Sequence, residues 1–96
     1  SAGMLQLAGT TSSFPAFKRS AALIQVRLAD DSADATFQAK TLRTACTTVA
    51  GLPTGVTGDR VCINDQLTAC PALDGTFTGG GAVVCSAFYN GTAWVR

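Results

Sequence analysis

The chain has 96 residues, of which 47% are hydrophobic and 14% charged, and its formal net charge is +1. A near-zero net charge with positive mean hydropathy excludes a disordered chain, and the lack of a basic excess excludes an electrostatic nucleic-acid interface. No apolar run approaches the roughly 18 residues of a membrane span, and the chain has no histidine, the commonest general base. We therefore predict one small domain, residues 1–96, without enzymatic activity, metal, cofactor, nucleic-acid partner or membrane span.

The first part of the chain predicts an arm followed by a strand. Residues 1–20 are rich in Gly, Ser and Thr, which favours an extended arm or loop, with a short strand at residues 4–7. Residues 22–28 alternate between apolar and polar side chains, and a period of two predicts a strand. The predicted apolar face of this strand consists of Ile24, Val26 and Leu28.

A hairpin region is predicted over residues 21–50. Asp30, Asp31 and Asp34 favour a turn, because Asp side chains bond to nearby backbone groups. Residues 35–42 are predicted to return as a second strand, and the β-branched residues of 43–50 predict a third. The three aspartates could instead ligate calcium, but their spacing does not match an EF-hand loop, so a solvated turn is favoured.

The C-terminal part predicts three more strands and a long irregular excursion. The excursion covers residues 65–81 and contains three consecutive glycines. Asn90-Gly91 predicts a two-residue hairpin turn, because type I′ turns need positive φ at both central positions. No segment has a helical apolar period, so little helix is expected. The predicted strands are residues 60–64, 82–89 and 92–96.

Four cysteines occur at positions 46, 62, 70 and 85, and none of them forms a C-x-x-C pair. An even count in a short Gly/Thr-rich chain predicts disulfides in an oxidising setting, although four buried free thiols are the alternative. Four cysteines allow three pairings. We favour Cys70–Cys85, which would close the Gly-rich excursion onto a strand, together with Cys46–Cys62, so that residues 58–96 form a disulfide-stapled hairpin region.

Tyr89 and Trp94 flank the predicted Asn-Gly turn. They could form an aromatic platform that recognises a glycan, and they are the candidate recognition residues of this chain. The alternative is that they pack on each other and on cross-strand neighbours, because aromatic pairs stabilise hairpins. We favour packing.

The apolar inventory is weak for a chain of this length. Much of the hydrophobic content is alanine, which buries little area, and the chain has only five Phe, one Trp, one Tyr and one Met. A domain of this size buries only about 60–65% of its unfolded surface, so disulfides, oligomerisation or both are expected. The predicted fold class is all-β, as a small antiparallel sandwich or a fibre-like β module intertwined in an oligomer.

Two stretches resemble tail-fibre and related virion structural proteins of tailed bacteriophages. The first stretch is SSFPAFKRS at residues 12–20, followed by IQVRLADDSAD at residues 24–34. The second runs from Gly58 to Trp94 and contains GDRV, GGG and YNGTAWV. Together they cover about two thirds of the chain, which departs from the usual pattern of this family in having four cysteines.

The resemblance implies a β-rich and commonly trimeric subunit that serves fibre assembly, capsid decoration or host attachment at the virion surface. Its partners would be copies of itself, other virion proteins and a host-surface glycan. Two other functions remain open from the residues. One is a secreted, disulfide-stabilised module that binds glycan through Tyr89 and Trp94. The other is the subunit of an extracellular filament that a cell makes.

Overall fold

The computed structural model describes residues 3–96, and within them it contains strands, turns and loops but no helix. The predicted all-β class is confirmed. The sandwich or fibre-like arrangement and the intertwining with other copies stay predictions. The seven strands are β1 Met4–Gln6, β2 Pro15–Ser20, β3 Leu23–Leu28, β4 Cys46–Thr47, β5 Arg60–Gln66, β6 Val83–Tyr89 and β7 Trp94–Val95.

The contacts of the chain cluster into two compact units. We call Ser1–Thr41 the N-terminal unit and Leu42–Arg96 the C-terminal unit. The first contains a three-stranded sheet in the order β1-β2-β3, and the second contains a four-stranded sheet in the order β4-β5-β6-β7. The organisation as one domain over residues 1–96 stays a prediction.

The N-terminal sheet is built around β2, which pairs antiparallel with both neighbours. Phe17 of β2 lies opposite Leu5 on one side and Val26 on the other. Pro15 begins the strand; its carbonyl accepts a bond from the amide of Leu7, and as a proline it donates no bond in return. Two residues connect β2 to β3, and the first of them, Ala21, has a φ of 50°.

The structure corrects two predictions in this unit. Residues 15–20 form a strand instead of continuing an arm, and residues 35–42 form none of the seven strands. After the aspartate turn, the chain forms backbone hydrogen bonds with β3 through Ala33 and Ala35 and then leaves the edge of the sheet. The strand that pairs with β3 is therefore β2. Its two-residue connection costs less loop-closure entropy than the longer aspartate-rich turn would.

The C-terminal sheet is centred on the antiparallel pair β5–β6. Ile63 lies opposite Cys85, and the register shifts between Ile63 and Gln66. β4 pairs parallel with β5 and covers only Cys46 and Thr47, so the strand predicted over residues 43–50 is much shorter than expected. The predicted strands at residues 60–64 and 82–89 are present with small changes in their ends.

The loop between β6 and β7 differs from the predicted two-residue turn. Tyr89 pairs with Trp94, so the connection has four residues, 90–93. Within the loop only Gly91 has a positive φ, of 100°. The Asn90 carboxamide oxygen accepts bonds from the amides of Thr92 and Ala93, at 2.8 and 2.9 Å. This side-chain bonding replaces the backbone geometry that a type I′ turn would need.

The buried core is small in both units. In the C-terminal unit the buried apolar residues are Ile63, Cys85, Ala87 and Val95. In the N-terminal unit the fully buried side chains are Ala16 and Ala29, which contribute little apolar area. The predicted apolar face of β3 is only partly covered: Ile24 is 80% exposed, and Val26 and Leu28 are half-buried.

Candidate functional site

Both disulfides lie in the C-terminal unit. Cys46 and Cys62 face each other across β4 and β5 and are bonded, and Cys70 is bonded to Cys85 of β6. These are the two pairs favoured from the sequence, and no free cysteine remains among residues 3–96. The disulfides fasten the segments before β5 and before β6 onto the central strand pair. Each closes a loop of 16 or 15 residues, which is worth about 3 kcal/mol in the chain-entropy account.

Tyr89 and Trp94 contact each other at the end of the same sheet. Their ring centroids lie 5.4 Å apart at an interplanar angle of 70°, an edge-to-face arrangement. The indole N–H of Trp94 donates to the carbonyl of Pro53 at 3.1 Å. Gly55 lies against the Tyr89 ring so closely that a Cβ at this position would be 2.2 Å from the ring Cδ1. The pair therefore anchors the connector that precedes β5.

The packing of Tyr89 and Trp94 covers ring surface and uses a polar atom that a glycan-binding platform would need to keep free. One part of the Tyr89 ring is covered by Gly55, and the polar atom of the indole is already bonded to backbone. Both side chains are half-buried. The geometry favours the packing interpretation, and recognition of a glycan by Tyr89 and Trp94 stays a prediction.

Two polar residues at the end of β5 organise the long excursion, and the sequence analysis missed both. Gln66 is only 4% exposed. Its amide nitrogen donates to the carbonyl of Ala69, and its amide oxygen accepts from the amide of Thr78 at 2.9 Å. The carboxylate of Asp65 accepts a bond from the amide of Val49 at 2.8 Å. The sequence did contain a signal for this role: two polar residues stand directly before an irregular stretch. Such side chains often form hydrogen bonds with the backbone N–H and C=O groups of a loop.

One face of the N-terminal sheet carries a network of ion pairs. Arg27 binds Asp31 at 2.9 Å and Asp34 at 2.8 Å, and Lys18 also binds Asp31. Hydrogen bonds from Lys18 and then from Arg27 lower the pKa of Asp31 below its ordinary value, and the bonds to Asp34 and Asp31 raise the pKa of Arg27. The network joins β2 and β3 to the turn that follows them.

The aspartates of that turn already form hydrogen bonds or ion pairs with neighbouring residues. Asp30 accepts bonds from the hydroxyl and the amide of Ser32, and these bonds lower its pKa. Asp31 and Asp34 neutralise Arg27 and Lys18. Among residues 3–96, no group of three or more His, Cys, Asp or Glu side chains is placed to hold a metal ion.

The opposite face of the N-terminal sheet is apolar and exposed to solvent. Residues that lie directly opposite each other in an antiparallel sheet share a face. Leu5, Phe17 and Val26 therefore share one face across all three strands, and the pair Arg19 and Ile24 lies on it nearer to the hairpin end. Leu5 is 61% exposed. We call this surface the apolar face, and its residues are Leu5, Leu7, Pro15, Phe17, Ile24, Val26 and Leu28.

The two faces of this sheet reverse the ordinary arrangement. An antiparallel sheet normally buries its apolar face and leaves its polar face in water. Here the polar face is the one that the chain covers: Gln6 donates to the carbonyl of Ala29 at 2.8 Å, and Lys18 reaches Asp31. Ala16 on the same face is fully buried. The apolar face is left without a partner within the described residues.

The C-terminal unit has an open groove of about 430 Å³ beside β5 and β6. Its charged member is Arg60, whose guanidinium lies 4.8 Å from the centre of the Phe88 ring. The lining contains no carboxylate, so the groove has no acid–base pair for general catalysis. The lining residues are Leu42, Thr44, Arg60, Val61, Cys62, Val84, Cys85 and Ser86.

Comparison of the chain with protein-family models, curated proteins and solved structures finds no match. Within residues 3–96, no helix is long and apolar enough to cross a membrane. The exposed surfaces of the two units and the sequence motifs are therefore the basis on which a function can be assigned.

Proposed function

We propose that this chain is a non-enzymatic structural subunit of a bacteriophage virion surface, either in a fibre or in a capsid decoration. It acts by self-assembly and surface attachment, as a homo-oligomer, for which the resemblance to virion structural proteins implies a trimer. The observation that carries the proposal is the apolar face of the N-terminal sheet, which the chain itself leaves uncovered.

The buried core of the N-terminal unit is small, so burial within one chain contributes little to its stability. The side chains buried in the N-terminal unit are alanines, while leucine, isoleucine and phenylalanine side chains remain in water. Burial of a large apolar side chain contributes about 1.5–3 kcal/mol. Association with further copies would supply the burial that a single chain lacks, and it would also cover surface that is prone to non-specific aggregation.

Two further observations support the virion-surface setting. Two disulfides are typical of proteins that function outside the cytosol, because the cytosol keeps thiols reduced. The sequence stretches at residues 12–34 and 58–94 resemble virion structural proteins of tailed bacteriophages. Attachment to other virion proteins, and to a glycan on the host surface, belongs to the same proposal.

The test is the mass of the oxidised protein in solution, measured by light scattering after size-exclusion chromatography over a wide concentration range. A defined closed oligomer supports the proposal: a trimer is the form that the resemblance implies, and a dimer is the form that a face-to-face contact of two sheets gives. A monomer at every concentration contradicts self-assembly and directs attention to glycan-binding screens with Tyr89 and Trp94 variants. Open-ended polymers would instead favour a subunit of an extracellular filament.

A further inference from the structure

We infer that the apolar face of the N-terminal sheet is the contact surface between copies of this chain, with Leu5, Phe17 and Val26 across its middle and Ile24 towards the hairpin end. This inference rests on the proposed function, because it assigns the self-assembly to one particular surface. Other surfaces could mediate assembly, among them the groove of the C-terminal unit, so the two statements can be tested separately.

The chemistry of the face selects its partner. Across the three strands its side chains are aliphatic or aromatic, and the charged residue on it, Arg19, lies towards the hairpin end. The other charges of the sheet, Lys18 and Arg27, are on the opposite face and are already paired with aspartates. An anionic ligand would find a single guanidinium here, so the fitting partner is another apolar surface.

The shape of the face points to a second copy. A sheet offers a broad surface onto which another sheet can stack about 10 Å away. A second copy of the chain presents a surface of the same size and polarity. Symmetric contacts between identical patches are the usual way in which soluble proteins form oligomers.

The area of the face is sufficient for a specific contact. With several large apolar side chains in water, the face offers on the order of 500 Å² in each copy, so that two copies would bury about 1,000 Å², the lower bound of specific interfaces. A three-stranded sheet also needs a buried hydrophobic face to be stable. The N-terminal unit does not provide this burial internally, since its buried side chains are Ala16 and Ala29.

Lysine substitutions at exposed positions test the assignment. Leu5→Lys and Ile24→Lys each place a charge on the face, at positions where the side chains of the free chain are already in water. The matched control is Val84→Lys, which puts the same charge at an exposed strand position in the C-terminal sheet. Ile24→Thr keeps a β-branched strand residue and removes apolar area, which separates loss of contact from loss of fold.

Light scattering over the same concentration range is the readout, with amide hydrogen exchange of β2 as the check on folding. We expect Leu5→Lys and Ile24→Lys to weaken association at least about tenfold, or about 1.4 kcal/mol, Ile24→Thr to weaken it less, and Val84→Lys to leave it unchanged. Wild-type mass in both face variants overturns the inference and leaves self-assembly standing. If only Val84→Lys dissociated the oligomer, the contact between copies would lie on the C-terminal sheet, and the inference would be wrong. A monomeric wild-type chain contradicts both the inference and the proposed function.

Discussion

The two units of this protein contain similar amounts of β-sheet, but different interactions stabilise them. In the N-terminal unit three strands are joined by backbone hydrogen bonds and by every ion pair found among residues 3–96. In the C-terminal unit four strands are joined by both disulfides and by a core around Ile63. Exposed ion pairs contribute little to stability, whereas disulfides and buried aliphatic side chains contribute several kcal/mol.

The contrast indicates which unit is self-sufficient. The C-terminal unit fully buries one large aliphatic side chain, Ile63, and restrains its loops covalently, so these stabilising interactions lie within the chain. The N-terminal unit covers its polar face and exposes its apolar one, and under our proposal part of its stability comes from association with further copies. Four predictions, from the largest expected effect to the smallest, test this division.

Removal of the Cys70–Cys85 disulfide should have the largest effect. The loops closed by the two disulfides are nearly equal, 15 and 16 residues, so the chain-entropy contribution of each is about 3 kcal/mol. Cys85 is also buried, at 4% exposure. Replacement of Cys70 and Cys85 by alanine should therefore cost more than the same change at Cys46 and Cys62. Urea unfolding followed by Trp94 fluorescence measures both.

The same double variant should leave the N-terminal unit intact. Amide hydrogen exchange at Phe17 and Val26 is the control, because these residues lie in the N-terminal sheet. Loss of protection there, in step with the C-terminal unit, would show that the division into an internally stabilised unit and a dependent unit is wrong.

The substitution of isoleucine by alanine can be made once in each unit. Ile63 is 0% exposed, so Ile63→Ala should cost about 2–3 kcal/mol through lost burial and the cavity it leaves. Ile24 is exposed, so Ile24→Ala should change the stability of the unassembled chain by less than about 0.5 kcal/mol. Thermal unfolding at protein concentrations below assembly measures both values, and equal losses would contradict the assignment of the core.

Gln66→Leu should destabilise the C-terminal unit by about 1–3 kcal/mol, because it leaves the amide of Thr78 and the carbonyl of Ala69 without their partner. The matched control is Asn64→Leu, an exposed position on the same strand. Faster amide exchange at Thr78 in the Gln66 variant alone would localise the effect to the excursion. Equal effects of the two leucine variants would contradict a stabilising role for the bonds that Gln66 makes to Thr78 and Ala69.

Acid should loosen only the turn of the N-terminal unit, and this effect should be the smallest. The pKa of Asp31 is lowered from an ordinary value of about 3.9. The stabilisation that its ionised form provides is therefore present above about pH 4 and is lost as the pH falls through the lowered pKa.

The Nε–H chemical shift of Arg27, which donates to the Asp31 carboxylate, measures this change by NMR as the pH is lowered from neutral. The amide shift of Ile63 should stay constant over the same range. Asp31→Asn removes the ionisable group and should flatten the titration at the Arg27 Nε–H. Because the network is solvent-exposed, added salt should shrink the effect.

Much of the C-terminal unit could be predicted from local sequence. The alternation around Val61 and Ile63 and the apolar run before Tyr89 mark β5 and β6, because side-chain period is a local property. The even number of cysteines and their spacing favoured the two pairs that the structure contains. The polar pair Asp65-Gln66 before the excursion was a local signal for bonding to loop backbone, but the burial of Gln66 depends on a register shift that no local pattern encodes.

The N-terminal unit shows where such reasoning fails. The alternation in residues 22–28 correctly predicted the strand, but it could not identify β2 as its partner in place of residues 35–42. A positive φ at Ala21 is disfavoured for a residue with a Cβ, so the short connection between β2 and β3 gave no turn signal. The Asn90-Gly91 pair gave a strong signal, yet its side-chain bonds produced a longer loop.

Composition, side-chain period and cysteine spacing thus determined the all-β class, the positions of β3, β5 and β6, and the two favoured disulfides. The pairing of β2 with β3, the burial of Gln66 and the exposure of the apolar face were decided by the tertiary structure. The reason is that period and composition act over a few residues, whereas strand partners and sheet faces depend on how distant segments meet and on which of them closes first.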